Sequence, residues 1–379
     1  MFPGMGLLIT RGIGAPWLAA KVAAASLTLA ASLAAGQPGP DGFDWVTIGA
    51  PNNPAYHGPD PNGYVSSRGS VPYEYRLSRT EITTAQWLEF FNAAMARPDP
   101  LPYVANPGTW GAGLDPTYQG PGMRFRLGSQ ATGQWGVYGI SWRAAAMYCN
   151  WAHNGKSSER SAFLSGAYDI STFGTNPDGT FTDQATRSPG ARYWIPSLDE
   201  WIKAAHWSPT NPNNDGWYQY SNGTDIPLTY GPPPAFGGNG TGMANAGFRL
   251  SNFDEYTIPI GSYPQTMSPW GLLDMAGGEA EWTEETFDNL RYRLSFGSYA
   301  GGHGIDRITS PSGGATPSSS SGSYGLRLAS PVVSPGSGGI LGLFVCISHH
   351  TARRRSHEPH QSRSNRSVGV RGGVGSSFK

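Results

Sequence analysis

Thiols are nearly absent from this chain: 379 residues include only Cys149 and Cys346. Two cysteines of this kind, the second in an apolar patch near the end, leave no disulfide framework to expect. Charge is scarce as well, at 14% of residues with a formal sum of zero. Disorder needs high net charge and few aromatics, whereas aromatics here are 12%, so a disordered chain is excluded. No apolar run is long enough to stay in a bilayer, since Val22–Ala35 is too short to span one. No repeat of 20 to 50 residues appears, and no nucleophile elbow sits in a strand-to-helix context. Asp199 and Glu200 are adjacent acids at a helix start, not a glycosidase pair.

The zero net charge hides an asymmetry. Residues 352–379 carry seven Lys or Arg and one acid, and Arg11 and Lys21 stand alone in the first 35 residues, leaving 17 basic against 25 acidic residues between Gly36 and Thr351. An acidic body is a poor partner for a phosphate backbone, so no nucleic acid is expected. Residues 1–35 read as a secretory signal, because Arg11 and Lys21 precede an apolar run ending in the small residues Ala34 and Ala35. An amphipathic or membrane-anchoring helix is the alternative.

What is abundant is glycine (53), proline (32) and tryptophan (13), the composition of ordered loops pinned by aromatic anchors. Strands are expected at Phe43–Ile48 and Tyr73–Leu77. Thr83 with Gln86 forms a capping-box signature before Trp87, Phe90 and Phe91. Ser141 caps a second helix whose Trp142, Ala145, Ala146 and Cys149 share one face, which puts Cys149 in the core. Ser197 with Glu200 opens a third helix, with Asp199 and Glu200 in the first turn and Lys203 and His206 near the last, as the macrodipole favours. Beyond Ser208 only short strands and large loops are expected. The aromatics Trp207, Trp217, Tyr218 and Tyr220 read as core, with stacking on sugar rings as the alternative. Gly237–Gly242 follows three prolines and opens no helix, so it is a turn and not a dinucleotide loop. Three modest helices, short strands and long ordered loops make a mixed α+β class.

Five segments in order resemble the formylglycine-generating enzyme (sulfatase-modifying factor) family: Tyr75–Phe91 (YRLSRTEITTAQWLEFF), Ile140–Trp151 (ISWRAAAMYCNW), Ile195–Ala205 (IPSLDEWIKAA), Gly271–Trp282 (GLLDMAGGEAEW) and Gly325–Leu328 (GLRL). The resemblance covers about residues 43–330 and implies a C-type-lectin-like fold. It also implies where the chemistry should sit. In the active enzymes two cysteines five residues apart bind copper as thiolates after a "GGSY" strand; here that strand matches Phe296–Tyr299 and the two positions fall on Gly301 and Asp306. Copper is therefore not expected. The related iron-dependent sulfoxide synthases use a three-histidine site, whereas His57 and His303 are isolated loop residues.

A structural calcium scaffold is implied instead, with Asp274 and Glu281 as side-chain donors and the backbone carbonyls of Gly277 and Glu279 between them. A second set would be Asn245 and Asp254 with the carbonyls of Ala246 and Tyr256. The alternative is that these acids cap turns or face solvent. The segment departs from the family at Gly278 and Ala280. Near the C-terminus, Ser334 and Pro335, the run Ile340–Ile347 and Arg353–Arg355 resemble a degenerate Pro-Glu-Pro-type sorting tail over residues 331–356, followed by a basic disordered tail at 357–379. These readings lead to a secreted or envelope-associated monomer, calcium-stabilised, that binds a glycan or protein surface, with envelope sorting machinery as a further partner. An enzyme working by a cysteine-independent route, on protein substrates, is the alternative.

Overall fold

The computed structural model describes residues 38–101, 107–129, 131–233, 242–244, 256–296, 306–310, 313–320 and 322–332. The expected signal at 1–35, the body of the sorting segment and the basic tail lie outside them. Among the described residues no helix is long and apolar enough to cross a membrane.

One small sheet ties the beginning of the domain to its end. Strand β1 (Trp45–Ile48) pairs antiparallel with β2 (Tyr75–Ser78), in register Val46 to Leu77. The other edge of β2 pairs with the last strand, Ala329–Pro331. Beyond β2 the chain keeps following that C-terminal segment: Ser78 N–H donates to Leu328 O at 2.9 Å and Ile82 N–H to Leu326 O at 2.8 Å. Val137 N–H then donates to Ile82 O at 2.8 Å. Three stretches far apart in sequence thus run side by side through Glu81, which is where the site forms.

Helix α1 (Thr84–Met95) starts at the expected capping box, Thr83 taking the Gln86 N–H while the Gln86 side chain takes that of Thr83. Its Trp87 stacks on Tyr148 with ring centroids 5.3 Å apart. A hairpin absent from the sequence expectation, β3 (Ala112–Leu114) with β4 (Phe125–Leu127), is clamped to α1 by Asn92, which exchanges two hydrogen bonds with Phe125. Helix α2 (Trp142–His153) is capped by Ser141, but burial is not confined to one face: every residue from Trp142 to Ala152 is buried. Arg143 tolerates this because its Nε and Nη2 donate to the Asp183 carboxylate at 2.9 and 2.6 Å and Nη2 also to Gly174 O at 2.7 Å. Cys149 is core, as expected.

A one-turn helix α3 (Ser161–Leu164) precedes α4 (Leu198–His206), whose Ser197–Glu200 capping box is present. The second sheet has the order β7 (Gly313–Ala315), β6 (Tyr292–Phe296), β5 (Ala280–Phe287), β8 (Tyr324–Gly325), with β9 being the Ala329–Pro331 strand of the first. Only the β5–β8 pair is parallel, setting Glu281 beside Gly325. Trp207, Trp217 and Tyr220 are buried, in line with a core role. Among the described residues seven tryptophans are under 2% exposed, and truncating any one to alanine should cost about 3–5 kcal/mol.

Candidate functional site

The site grows from three segments: the 78–82 stretch between β2 and α1, the 271–281 loop leading into β5, and the β8–β9 link that carries Arg327. Arg327 is fully buried. Its Nε donates to Glu281 Oε1 at 2.9 Å, Nη1 to Ser78 O at 2.8 Å, and Nη2 to Leu273 O at 2.9 Å. The other carboxylate oxygen of Glu281 takes the indole N–H of Trp201. Each Glu281 oxygen thus has a donor, one from a guanidinium and one from an indole, and each nitrogen of the guanidinium meets an oxygen.

Three further acids crowd the same region. Asp274 sits at φ 55°, and its Oδ2 takes the Gly261 N–H at 2.6 Å. Glu279 is buried at the end of the loop, and Glu81 is 3% exposed with neither carboxylate oxygen hydrogen-bonded. Burial, then the charge of Asp274, drives the Glu81 carboxyl well above the usual carboxylate range. The same two causes push Glu279 up to about 8, and burial lifts Asp274 to about 6 against the pull of Gly261 N–H and Arg327.

Glu81, Asp274 and Glu279 line a small cavity of about 20 Å³ together with Gly277, Pro259 and Tyr263. On its other side Glu81 also borders an open groove of about 800 Å³ whose walls include Phe43, Arg79, Gln86, Ile260 and Met267. Of the expected calcium segment, Asp274, Gly277 and Glu279 border this cavity, whereas the Glu281 carboxylate is turned to Arg327 and Trp201. Glu81, which sequence reasoning missed, borders it too. Of the second expected set, Tyr256 is stacked on Tyr138 at 4.6 Å, while Asn245, Ala246 and Asp254 lie outside the described residues. Of the two positions matching the copper-binding cysteines, Gly301 lies outside the described residues. Asp306 is buried and takes the Tyr230 O–H at 2.7 Å.

The sulfatase-modifying factor enzyme 1-like domain matches residues 63–332. The chain belongs to that family. Its fold is the α+β formylglycine-generating-enzyme fold, with small sheets and long ordered loops. Similar solved structures include CarF (18% identity, 77% of this chain and 99% of that one, TM-score 0.45). PvdO from Pseudomonas aeruginosa is 15% identical over 78% of this chain and 97% of its own, with TM-score 0.43. Treponema denticola variable protein 1 is 17% identical over 76% and 95%, with TM-score 0.40. No curated protein matches the chain.

The donors present decide which of the family's metals the chain suits. For copper the described residues offer a single thiol, Cys149, which is buried in α2, where burial raises its pKa well above the ordinary value. A hard cation fits better, because the region offers buried oxygens and Glu81 has two without partners. No group of three or more His, Cys, Asp or Glu side chains among the described residues is gathered closely enough to hold a metal alone. Backbone carbonyls would have to complete the shell, as calcium accepts.

The crowding has a pH signature. A carboxyl raised by burial is favoured in its protonated form, so its contribution to stability is present below the ordinary carboxylate range and lost as pH rises through the raised value. In chelator, the melting temperature is expected to fall as pH rises through about 6 and then about 8. Differential scanning fluorimetry across that range checks this; a rising melting temperature would mean that the carboxylates are paired.

Proposed function

We propose that this member of the sulfatase-modifying factor family is an exported, calcium-stabilised binding module that does not perform copper-dependent oxidation of a substrate cysteine. The observation that carries the reading is the missing sulfur pair. Cu(I) and oxygen chemistry needs two soft thiolate donors, and Gly301 supplies no side chain while Asp306 supplies a hard oxygen already engaged by Tyr230. The family's domain match over residues 63–332 remains, and a fold kept without its chemistry favours binding over turnover. The groove beside Glu81 supports the same reading, since it joins apolar walls to glutamine and arginine side chains, the mixture that holds a glycan or a protein surface segment.

Export rests on the apolar N-terminal run with its small-residue end, and association with the envelope on the degenerate sorting segment at 331–356. The test is to incubate the purified chain with copper, oxygen and a cysteine-containing peptide while oxygen uptake and aldehyde formation are followed. No uptake above the blank and no aldehyde are expected. Turnover would overturn the reading. On a glycan array in calcium buffer the same protein is expected to retain ligand, and to lose it in chelator.

A further inference from the structure

A cavity of about 380 Å³ lies between residues 56–59 and residues 214–219 and shares no lining residue with the groove beside Glu81. That volume is in the range of small-molecule sites. Both of its walls are fixed by aromatic side chains. Asn214 and Asp215 stand at φ 50° and 54°, followed by Gly216 at φ 95°, a run of left-handed residues that persists only with outside support. Trp207 supplies it: its indole N–H donates to Asp215 O at 2.9 Å, and a Cβ at Gly216 would lie 2.4 Å from the same indole nitrogen. On the opposite wall Gly58 passes so close to the Tyr56 phenol that a Cβ there would meet its oxygen at 2.4 Å. The phenol donates to Pro59 O at 3.1 Å and takes Gln219 Nε2 at 3.3 Å, while its ring meets Trp217 edge-on with centroids 5.7 Å apart. Trp207 and Trp217 are core residues, yet they hold a polar surface pocket in shape.

The lining narrows the ligand. Among the described residues no hydrogen bond, ion pair or ring contact engages the side chains of His57, Asn214 or Asp215, and all three are exposed. With the Gln219 amide they present donors and acceptors on one concave surface. Hydroxyl groups need that pairing, since each one both donates and accepts. Asp215 has acceptor sites for two neighbouring hydroxyls at once. Among the described residues no arginine or lysine lines the pocket, which disfavours an anion, and no aliphatic side chain except Pro59 does, which disfavours an apolar ligand. A turn already held in its binding shape also lowers the cost of ordering on association.

We infer that this pocket is a saccharide site that takes one neutral sugar residue through its hydroxyl groups, with His57, Asn214 and Asp215 as the binding side chains. The inference rests on the reading of the chain as a binding module and gives that module a site besides the groove. No lining residue belongs to the 78–82 or 271–281 segments, so sugar held here does not need calcium.

The test is calorimetric titration of the full chain with the methyl glycosides of glucose, galactose and mannose and with N-acetylglucosamine, in calcium and again in EDTA. At least one is expected to bind, equally in both buffers. Asn214→Gly and Asp215→Asn are each expected to weaken that binding at least about tenfold, the loss of a good hydrogen bond to a hydroxyl. Both variants should melt near the wild-type temperature, because glycine takes a left-handed φ freely and asparagine tolerates it. Variants that bind the sugar like the wild type overturn the site and leave the binding-module reading standing. Failure of every sugar while the glycan array retains ligand does the same; failure in both experiments overturns site and reading together. Binding that vanishes in EDTA places the sugar in the groove and overturns the inference. So does a melting temperature that falls in step with binding in both variants, which marks the turn as structural. Tetramethylammonium bound more tightly than any sugar, and lost in Asp215→Asn, would overturn the ligand class.

Discussion

Arg327→Met is expected to cost about 3–5 kcal/mol of stability, the usual result of removing one partner from a buried ion pair. The side chain is fully enclosed and meets Glu281 Oε1, Ser78 O and Leu273 O, so the substitution strands a carboxylate and two carbonyls at once. It also takes away the guanidinium whose charge acts on Glu81 and Asp274, which leaves the acids of the cavity to repel one another. Arg327→Lys restores the charge but not the planar fork, and should recover part of the loss. Arg327→Met combined with Glu281→Met should be less damaging than the sum of the two, because no lone charge remains. Urea unfolding of the four proteins measures this. A cost below about 1 kcal/mol for Arg327→Met would mean that the pair is hydrated and that the charge accounting fails.

The parts of this fold legible in the sequence are those decided within a few residues. Both capping boxes, Thr83 with Gln86 and Ser197 with Glu200, form as their spacing demands, and the helices begin where expected. The strand expected at Tyr73–Leu77 instead runs from Tyr75 to Ser78, because Tyr73 turns outward to bond Glu200 and Arg187. The periodicity of α2 marked one apolar face, yet Arg143 and Asn150 are buried as well. Their partners, Asp183 for one and the Phe163 and Tyr168 carbonyls for the other, lie outside the helix and leave no trace in its pattern.

The site divides the same way. Asp274, Gly277, Glu279 and Glu281 sit in one contiguous segment, so a family motif could flag them together. Glu81 is invisible to such reasoning: it lies two residues before a helix cap, where an acid is ordinary. It becomes exceptional only because Ile82 is hydrogen-bonded both to Leu326 and to Val137, which closes the space around it. The roles within the segment were also beyond the sequence, since Arg327 claims Glu281 from 46 positions away.

Two glycines separate the stability of this region from its capacity to hold a cation. At Gly325 a Cβ would lie 2.8 Å from Val137 O and 2.8 Å from Glu279 Cβ. The carbonyl cannot retreat without disturbing the Val137–Ile82–Leu326 run of hydrogen bonds, so Gly325→Ala should cost about 1–3 kcal/mol or more, as overpacking does. At Gly136 the nearest atom is the far end of the Glu279 side chain, which can rotate away. Gly136→Ala should therefore destabilise less than Gly325→Ala in EDTA while weakening calcium binding more steeply for each degree of melting temperature lost. In a Glu279→Ala background the clash at Gly136 has no partner, and Gly136→Ala should then cost nothing further. Equal costs in both backgrounds would show that the Glu279 carboxylate does not occupy the position beside Gly136, and with it would go the geometry on which the cation site depends.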